Sequence, residues 1–527
     1  MENLISEKNV GPGEVKSPDH PQNKSNKTFA SACAILASMT SIMLGYDTGV
    51  MSGAAIFIQE DLQINDVQLE VLVGTINLYS LVGSALAGRT SDWIGRKLTI
   101  VLAAGIFFVG ALLMGLAPSY AFLMVGRFVA GVGVGYAMMI APVYTTELAP
   151  TAARGYLTSF PEIFINFGVL LGYLSNFVFA RLSLRVGWRV MLGVGAIPSV
   201  FMAIGVLVMP ESPRWLVLKG RLGDARRVLL RTCDSKEEAQ TRLLGIQEAA
   251  GIPADCMDEV VEVPKVEKGH EVWKELILHP TPTVKRILVA AIGIHFFQQA
   301  SGIDAVVLYS PRIFKAAGIV SRNALLGATV AVGCVKTFSI LISTFFVDKV
   351  GRRPILLSSV GGMIVAVTLL AFGLTMIEHN PHKKLSWALG LCIAMILLYV
   401  GFFSMGLGPI AWVYSSEIYP LRLRAQGTSM GVAMNRVMSG IIGTTFLSMT
   451  KALTTGGSFF LFAGVCVIAW LFFFMFLPET RGRNLEDMDA LFKSRWRRNQ
   501  NREEPSDGRR ATQLGTTNYA QVDQLSH

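Results

Sequence analysis

Six ionisable side chains lie inside stretches otherwise apolar enough to cross a membrane: Asp47, Arg127, Glu162, Asp304, Lys336 and Arg436. A charge at the centre of a bilayer costs at least about 2.5–3.5 kcal/mol on insertion scales, so six facing lipid would be prohibitive. They are expected to line an interior, water-accessible cavity, where three acids and three bases can balance one another. The chemistry open to such a set is binding and proton exchange. Covalent catalysis finds no support: there is no GxxxxGK[ST] phosphate loop, no nucleophile elbow and no HExxH helix. Six cysteines (Cys33, Cys233, Cys256, Cys334, Cys392 and Cys466) are scattered without pairing or zinc-like spacing, so neither a disulfide framework nor a metal site is expected. The chain reads as no enzyme and as needing no cofactor, with a gradient as its only possible energy source.

The elements that must hold these charges are membrane helices. With 52% hydrophobic and 16% charged residues among 527, the chain is too apolar for an ordinary soluble protein. A helix needs roughly 18–25 apolar residues to span a bilayer. Twelve such runs begin near Phe29, Leu69, Thr99, Tyr120, Gly155, Trp188, Val284, Asn323, Pro354, Ser386, Ala425 and Gly456. The expected fold class is an all-α membrane protein, twelve transmembrane helices in two six-helix bundles. The expected divisions are a cytosolic tail (1–28), a first bundle (29–209), a cytosolic helical linker (210–283), a second bundle (284–477) and a cytosolic tail (478–527), disordered from about Asn499.

No cleavable signal peptide is visible, because the first 28 residues are polar. Lys24 and Lys27 precede the first run and no Lys or Arg occurs from Phe29 to Gly88, which places the N-terminus in the cytoplasm. An even number of spans returns the C-terminus there. The charge rule is not clean, since Arg181, Arg185, Lys383 and Lys384 fall in loops assigned outside. The sequons at Asn23 and Asn26 lie on the cytoplasmic side in this topology, so glycosylation there is not expected. A net charge of +10 reads as cytosolic loops against anionic lipid headgroups, and no nucleic-acid motif accompanies it.

The chain is also one unit written twice. GRTSDWIGRK (88–97) returns about 256 residues later as VDKVGRRP (347–354), TELAPTAARG (146–155) as SEIYPLRLRAQG (416–427), and PESPRW (210–215) as PETRGR (478–483). Two membrane bundles related by duplication enclose a site between them and can rock about it, which describes a transporter.

These motifs, in this order, together with QQASGID (298–304) and GPIAWVYSSEIYP (408–420), resemble the sugar porter branch of the major facilitator superfamily over nearly all of residues 29–485. FPEIFIN (160–166) and MNRVMSG (434–440) look most like the plant polyol and monosaccharide transporters. The resemblance implies a cytosolic gate of charges at helix ends: Arg89, Arg96, Glu147, Arg154, Glu211, Arg352, Glu417, Arg424 and Glu479. Such pairs are weak when wet, about 0–1 kcal/mol each, which suits a gate that must open. Topology and lipid anchoring alone is the plainer reading of the same charges.

Asp47 in GYDTGV and Arg127 in GRF match the proton-coupling pair of proton-driven sugar porters. An ionised Asp47 attracts Arg127, and protonation cancels that attraction; a fixed structural pair is the alternative. Gln298, Gln299 and Asn435 match amides that hold sugar hydroxyls, and Trp412 matches the aromatic that stacks on a sugar's apolar face. Gly302 is expected to loosen the helix so that Asp304 reaches the cavity.

Departures from the family pattern are informative. Glu162 stands where Gln is frequent, Asp304 and Lys336 where Asn is common, and Arg436 where an apolar or aromatic residue is frequent. Charged groups bond hydroxyls more strongly than amides do, so this pocket is expected to take flexible polyols; pairing of the charges among themselves is the competing account. The reading that results is a proton-coupled importer of polyols such as sorbitol and mannitol and of monosaccharides, working as a monomer in the plasma membrane, with a vacuolar membrane also open. An uncoupled facilitator, a myo-inositol carrier and a transporter-like sugar sensor are the alternatives. The last is disfavoured by a C-terminal tail of only about 50 residues.

Overall fold

The structure, a computed structural model, describes residues 21–148, 160–233, 235–253, 256, 258–261, 276, 278–383, 385–419 and 423–480. Expectations for the first 20 residues, for Arg154 and for the tail beyond 480 fall outside the described residues.

The first half opens with a split span, α1 (Pro21–Met39) and α2 (Ile42–Leu62). Four uninterrupted helices follow: α3 (Asp66–Ile94), α4 (Arg96–Gly115), α5 (Tyr120–Leu148) and α6 (Phe160–Phe179). Two segments, α7 (Leu184–Gly193) and α8 (Ala196–Leu207), make the sixth span. The linker carries three helices, α9 (Pro213–Leu218), α10 (Leu222–Thr232) and α11 (Lys236–Ala250). They close on a small apolar core of their own that includes Leu216, Leu222, Leu229 and Leu243.

The second half repeats the plan: α12 (Pro282–Ala300), α13 (Ile303–Ala316), α14 (Arg322–Val350), α15 (Arg352–Glu378), α16 (Ser386–Met405), α17 (Leu407–Ile418), α18 (Arg424–Leu453) and α19 (Thr455–Phe476). Local sequence sets several of the starts. Asn65 and Gln68 form a reciprocal capping box on α3, while Ser212 before Pro213 and Thr281 before Pro282 cap α9 and α12.

Eleven helical segments among the described residues are long and apolar enough to cross a bilayer. The twelfth span is α18, whose 30 residues suffice in length but include Arg424, Asn435, Arg436 and Lys451. Its low hydropathy follows from its position, because α18 packs against α3 and α12 in the interior instead of facing lipid alone. Elsewhere the bundle's outer surface is apolar: Phe201, Phe338, Val365, Ile468 and Met475 are each more than half exposed. So much exposed apolar surface suits a lipid solvent and not water. The chain is a multi-pass membrane protein.

The two halves meet through α3 against α18, α6 against α14, and α2 against α13. Exchanging the halves turns the first pairing into the second and the third into itself, the signature of a pseudo-twofold between duplicated units. The site lies on that axis.

Candidate functional site

Broken helices build the site. Between α12 and α13 the chain turns at Gly302, whose φ of +89 an L side chain rarely adopts. The break puts Asp304 in the first turn of α13, where the free amides of a helix N-terminus favour a carboxylate. A second break, at Gly406, separates α16 from α17 and leaves carbonyls for side chains to bind. Ser343 and Ser359 bond the Met405 and Phe402 carbonyls at the end of α16, and Gln298 Nε2 donates to the Gly408 oxygen (2.8 Å) and the Leu407 oxygen (3.3 Å) in the first turn of α17.

Between the halves is a cavity in which the volume open to the centre of a water molecule is about 60 Å³. Glu162, Gln298, Gln299, Asp304, Lys336, Trp412 and Arg436 all line it. Asn435 does not; it stands just behind the wall, fully buried, and organises it. Its Nδ2 donates to Gln298 Oε1 (2.7 Å), and its Oδ1 accepts from Gln299 Nε2 (3.3 Å) and Arg436 Nη2 (2.7 Å). Arg436 Nη1 then reaches across the axis to Asn77 Oδ1 on α3 (3.2 Å).

Two buried atoms of this network, Gln299 Oε1 and Arg436 Nε, have no hydrogen-bond partner among the described residues. The carboxylates are held by neutral groups: Asp304 accepts from the Ser439 hydroxyl, and Glu162 lies 3.5 Å from Asn166 Nδ2. Trp412 packs edge-on to His295, with ring centroids 5.0 Å apart. His295 in turn meets the Ser415 hydroxyl at 3.1 Å.

Asn77 and Thr48, also on the cavity wall, escaped the sequence reading. Lone uncharged polar residues in a span give only a faint signal. A helical projection of the second span, GTINLYS, would have set Asn77 apart from its lipid-facing neighbours.

Asp47 and Arg127 form a sealed pair beside the cavity. Arg127 Nη1 contacts both Asp47 carboxylate oxygens, at 2.8 and 2.7 Å, and the two side chains are 0% and 2% exposed. The guanidinium is completed by carbonyls of α3, Leu72 (3.0 Å from Nε) and Val73 (3.3 Å from Nη2). Thr48, the next residue after Asp47, is on the cavity wall, so one turn of α2 carries both.

At the linker end of the bundle the duplicated motifs fold into duplicated clusters. Arg96 Nε donates to Glu147 (3.2 Å), and Arg352 Nη2 to Glu417 (2.9 Å). Ser212 donates to Glu147, and Thr480 to Glu417. Glu211 accepts the backbone amides of Arg96 (2.9 Å), Lys97 and Ser212, capping α4. Glu479 accepts those of Arg352 (3.0 Å), Arg353 and Thr480, capping α15.

Each cap needs a glycine before it. Gly95 has φ +99 and Gly351 φ +109, and a Cβ at Gly95 would stand 2.3 Å from Glu211 Oε2. Burial raises the Glu211 carboxyl above its ordinary range, and the amides it accepts oppose that rise. Among the described residues, the Arg96–Glu147 and Arg352–Glu417 pairs each lie within one half. Arg424 donates to the Tyr419 carbonyl (3.3 Å), and Arg89 is exposed.

A family model described as "Sugar (and other) transporter" matches residues 33–492. Among curated proteins, "Polyol transporter 5" of Arabidopsis thaliana is 63% identical over 91% of this chain and 89% of its own length. "Glucose transporter GlcP" of Staphylococcus epidermidis is 32% identical over 88% of this chain and 97% of its own. Among solved structures, the proton:xylose symporter XylE bound to 6-bromo-6-deoxy-D-glucose is 26% identical with a TM-score of 0.72, covering 89% of this chain and all of that one. XylE from E. coli in a partially occluded inward open conformation gives 25% and 0.71, over 87% of this chain and all of that one. The chain therefore belongs to the sugar transporter family of the major facilitator superfamily, a family of transporters and not of enzymes.

Proposed function

We propose that the protein is a proton-coupled symporter importing polyols, sorbitol and mannitol among them, and monosaccharides by alternating access. The proton gradient is its energy source, it uses no cofactor, and a single chain in the plasma membrane carries out the cycle with the linker and both tails in the cytoplasm. The observation that carries the reading is the sealed Asp47–Arg127 pair, one residue from the cavity wall. While Asp47 is ionised, attraction ties α2 to α5. A proton on Asp47 cancels the tie and frees α2, and with it Thr48, to move. An uncoupled facilitator would need no such ionisable acid beside its pathway.

The substrate class is supported by the donors and acceptors on offer. Gln299 Oε1 and Arg436 Nε are buried without partners among the described residues, and Glu162, Lys336 and Asp304 share their cavity. A chain of hydroxyls supplies donors and acceptors at regular intervals, and bonds to charged groups are about twice as strong as neutral ones. The neighbouring polyol transporters point to the same ligands. The pairs at the linker end are suited to a cytosolic gate, each half presenting its own cluster.

Tracer uptake with a panel of competitors tests this reading. Wild-type uptake is expected to be displaced by sorbitol or mannitol at least as well as by ring hexoses. In Glu162→Gln and Lys336→Asn the polyol preference is expected to fall by about tenfold relative to hexose, the value of one charge-assisted bond. Unaltered preference in both variants would remove these residues from recognition.

A further inference from the structure

At the end of the bundle opposite the linker, every ion pair described here that involves α3, α13, α14 or α18 crosses between the halves. Asp66, in the first turn of α3, is the centre. Its Oδ1 accepts from Arg312 Nη1 of α13 (3.2 Å) and from Gln59 Nε2 (2.8 Å), and its Oδ2 from Lys451 Nζ of α18 (2.6 Å). Arg312 also donates to Gln59 Oε1, closing a ring of three residues at the interface, to which Lys451 is attached through Asp66.

To one side, Arg322 at the start of α14 bonds both oxygens of Glu60 on α2 (2.9 and 2.8 Å) and lies 4.8 Å from the centre of the Phe57 ring. To the other, the buried Glu70 of α3 accepts from the amide and hydroxyl of Ser448 on α18 (2.6 and 2.5 Å). Below these bonds α3 and α18 touch backbone to backbone, since a Cβ on Gly74 would come within 2.6 Å of the Thr444 nitrogen. Acids of one half thus meet bases of the other at this mouth, whereas the linker-end pairs Arg96–Glu147 and Arg352–Glu417 each lie within one half.

We infer that Asp66, Arg312 and Lys451, flanked by Glu60–Arg322 and Glu70–Ser448, form the outer gate, an electrostatic latch that holds the cavity shut from the extracellular side. It rests on the alternating-access reading, and it adds the residues that set the balance between outward and inward states. The charged groups of this cluster are partly wet: side-chain exposure is 27% for Asp66, 25% for Arg312 and 66% for Lys451. Each bond is therefore weak and breakable, and salt in the outer medium loosens the latch. Glu70, nearly fully buried, is the firmer element.

The test labels a cysteine placed at Thr48, on the cavity wall, with a membrane-impermeant thiol reagent added outside, using the same chain with native Thr48 as blank. Asp66→Asn and Arg312→Gln are each expected to speed external labelling about fivefold, the population shift from losing one weak inter-half bond. Raising external salt is expected to speed labelling when Asp66 and Arg312 are present and to have a smaller effect in Asp66→Asn. The salt arm needs no gate substitution, so a variant that fails to reach the membrane leaves it decisive. Labelling indifferent to salt, or unchanged in both neutralised variants, overturns the latch. Tracer uptake by the unsubstituted chain separates the two readings. Uptake with unresponsive labelling sinks the latch alone, and responsive labelling without uptake of any polyol or sugar sinks the transport reading.

Discussion

Asp47→Asn is expected to bring polyol inside the cell to the external concentration and no higher, while exchange of labelled for unlabelled polyol across the membrane continues. The wild-type limit shows how large that loss is. One proton moving down about 100 mV supplies about 2.3 kcal/mol and one pH unit adds about 1.4, enough for a gradient of several hundredfold. Asparagine keeps the shape and one acceptor for Arg127, which retains the Leu72 and Val73 carbonyls. What it cannot do is change charge, so the two protonation states that the proposed coupling requires at Asp47 merge into one. Removing half of a buried pair also costs about 3–5 kcal/mol of stability, less where an isostere remains. A lowered thermal midpoint in detergent should accompany the transport defect. Full accumulation by a well-expressed Asp47→Asn protein would end the coupling role.

Gln298→Ala is expected to cut uptake efficiency about 100-fold, mainly through a raised KM. Gln298 is the brace of the cavity wall: it bonds the Leu407 and Gly408 carbonyls on α17 and receives Asn435 of α18. Truncation leaves those buried groups unpaired, at about 1–3 kcal/mol each. It also frees Asn435, whose other oxygen contacts position Gln299 and Arg436. Initial-rate measurements over a range of polyol concentrations read the effect. Normal KM in this variant would mean that the amide network packs helices and does not organise substrate.

The sequence announces what depends on local pattern. Apolar runs mark spans, and the one that fails the hydropathy test, α18, is marked instead by Asn435 and Arg436 standing where lipid would forbid them. Gly95 and Gly351 are legible because a repeated RK or RR after a glycine implies a repeated helix start, and both prove to be left-handed hinges capped by a glutamate. Asp47 with Arg127 could be proposed as a pair because no other solution for two charges in these spans is cheap. The break at Gly302 was legible in its glycine, whereas the one at Gly406 sits in GLG with nothing to separate it from the many packing glycines.

What depends on which half meets which was not legible. Asp66, Arg312, Arg322 and Lys451 sit near loop ends, where charges are ordinary, and nothing local says that an acid at 66 finds bases at 312 and 451. The link from Arg436 to Asn77 is equally non-local. Asn435 was expected at the substrate and stands one layer behind it, its buried amide taken up by Gln298, Gln299 and Arg436.

Purified protein in sealed liposomes, with a pH gradient imposed acid outside and a pH indicator trapped within, gives the most direct reading of the central claim. The account predicts that adding sorbitol or mannitol outside acidifies the interior, and that the polyol accumulates above its external concentration until a protonophore collapses the gradient. Polyol entry that merely equilibrates, with no proton movement and no response to the protonophore, would contradict it.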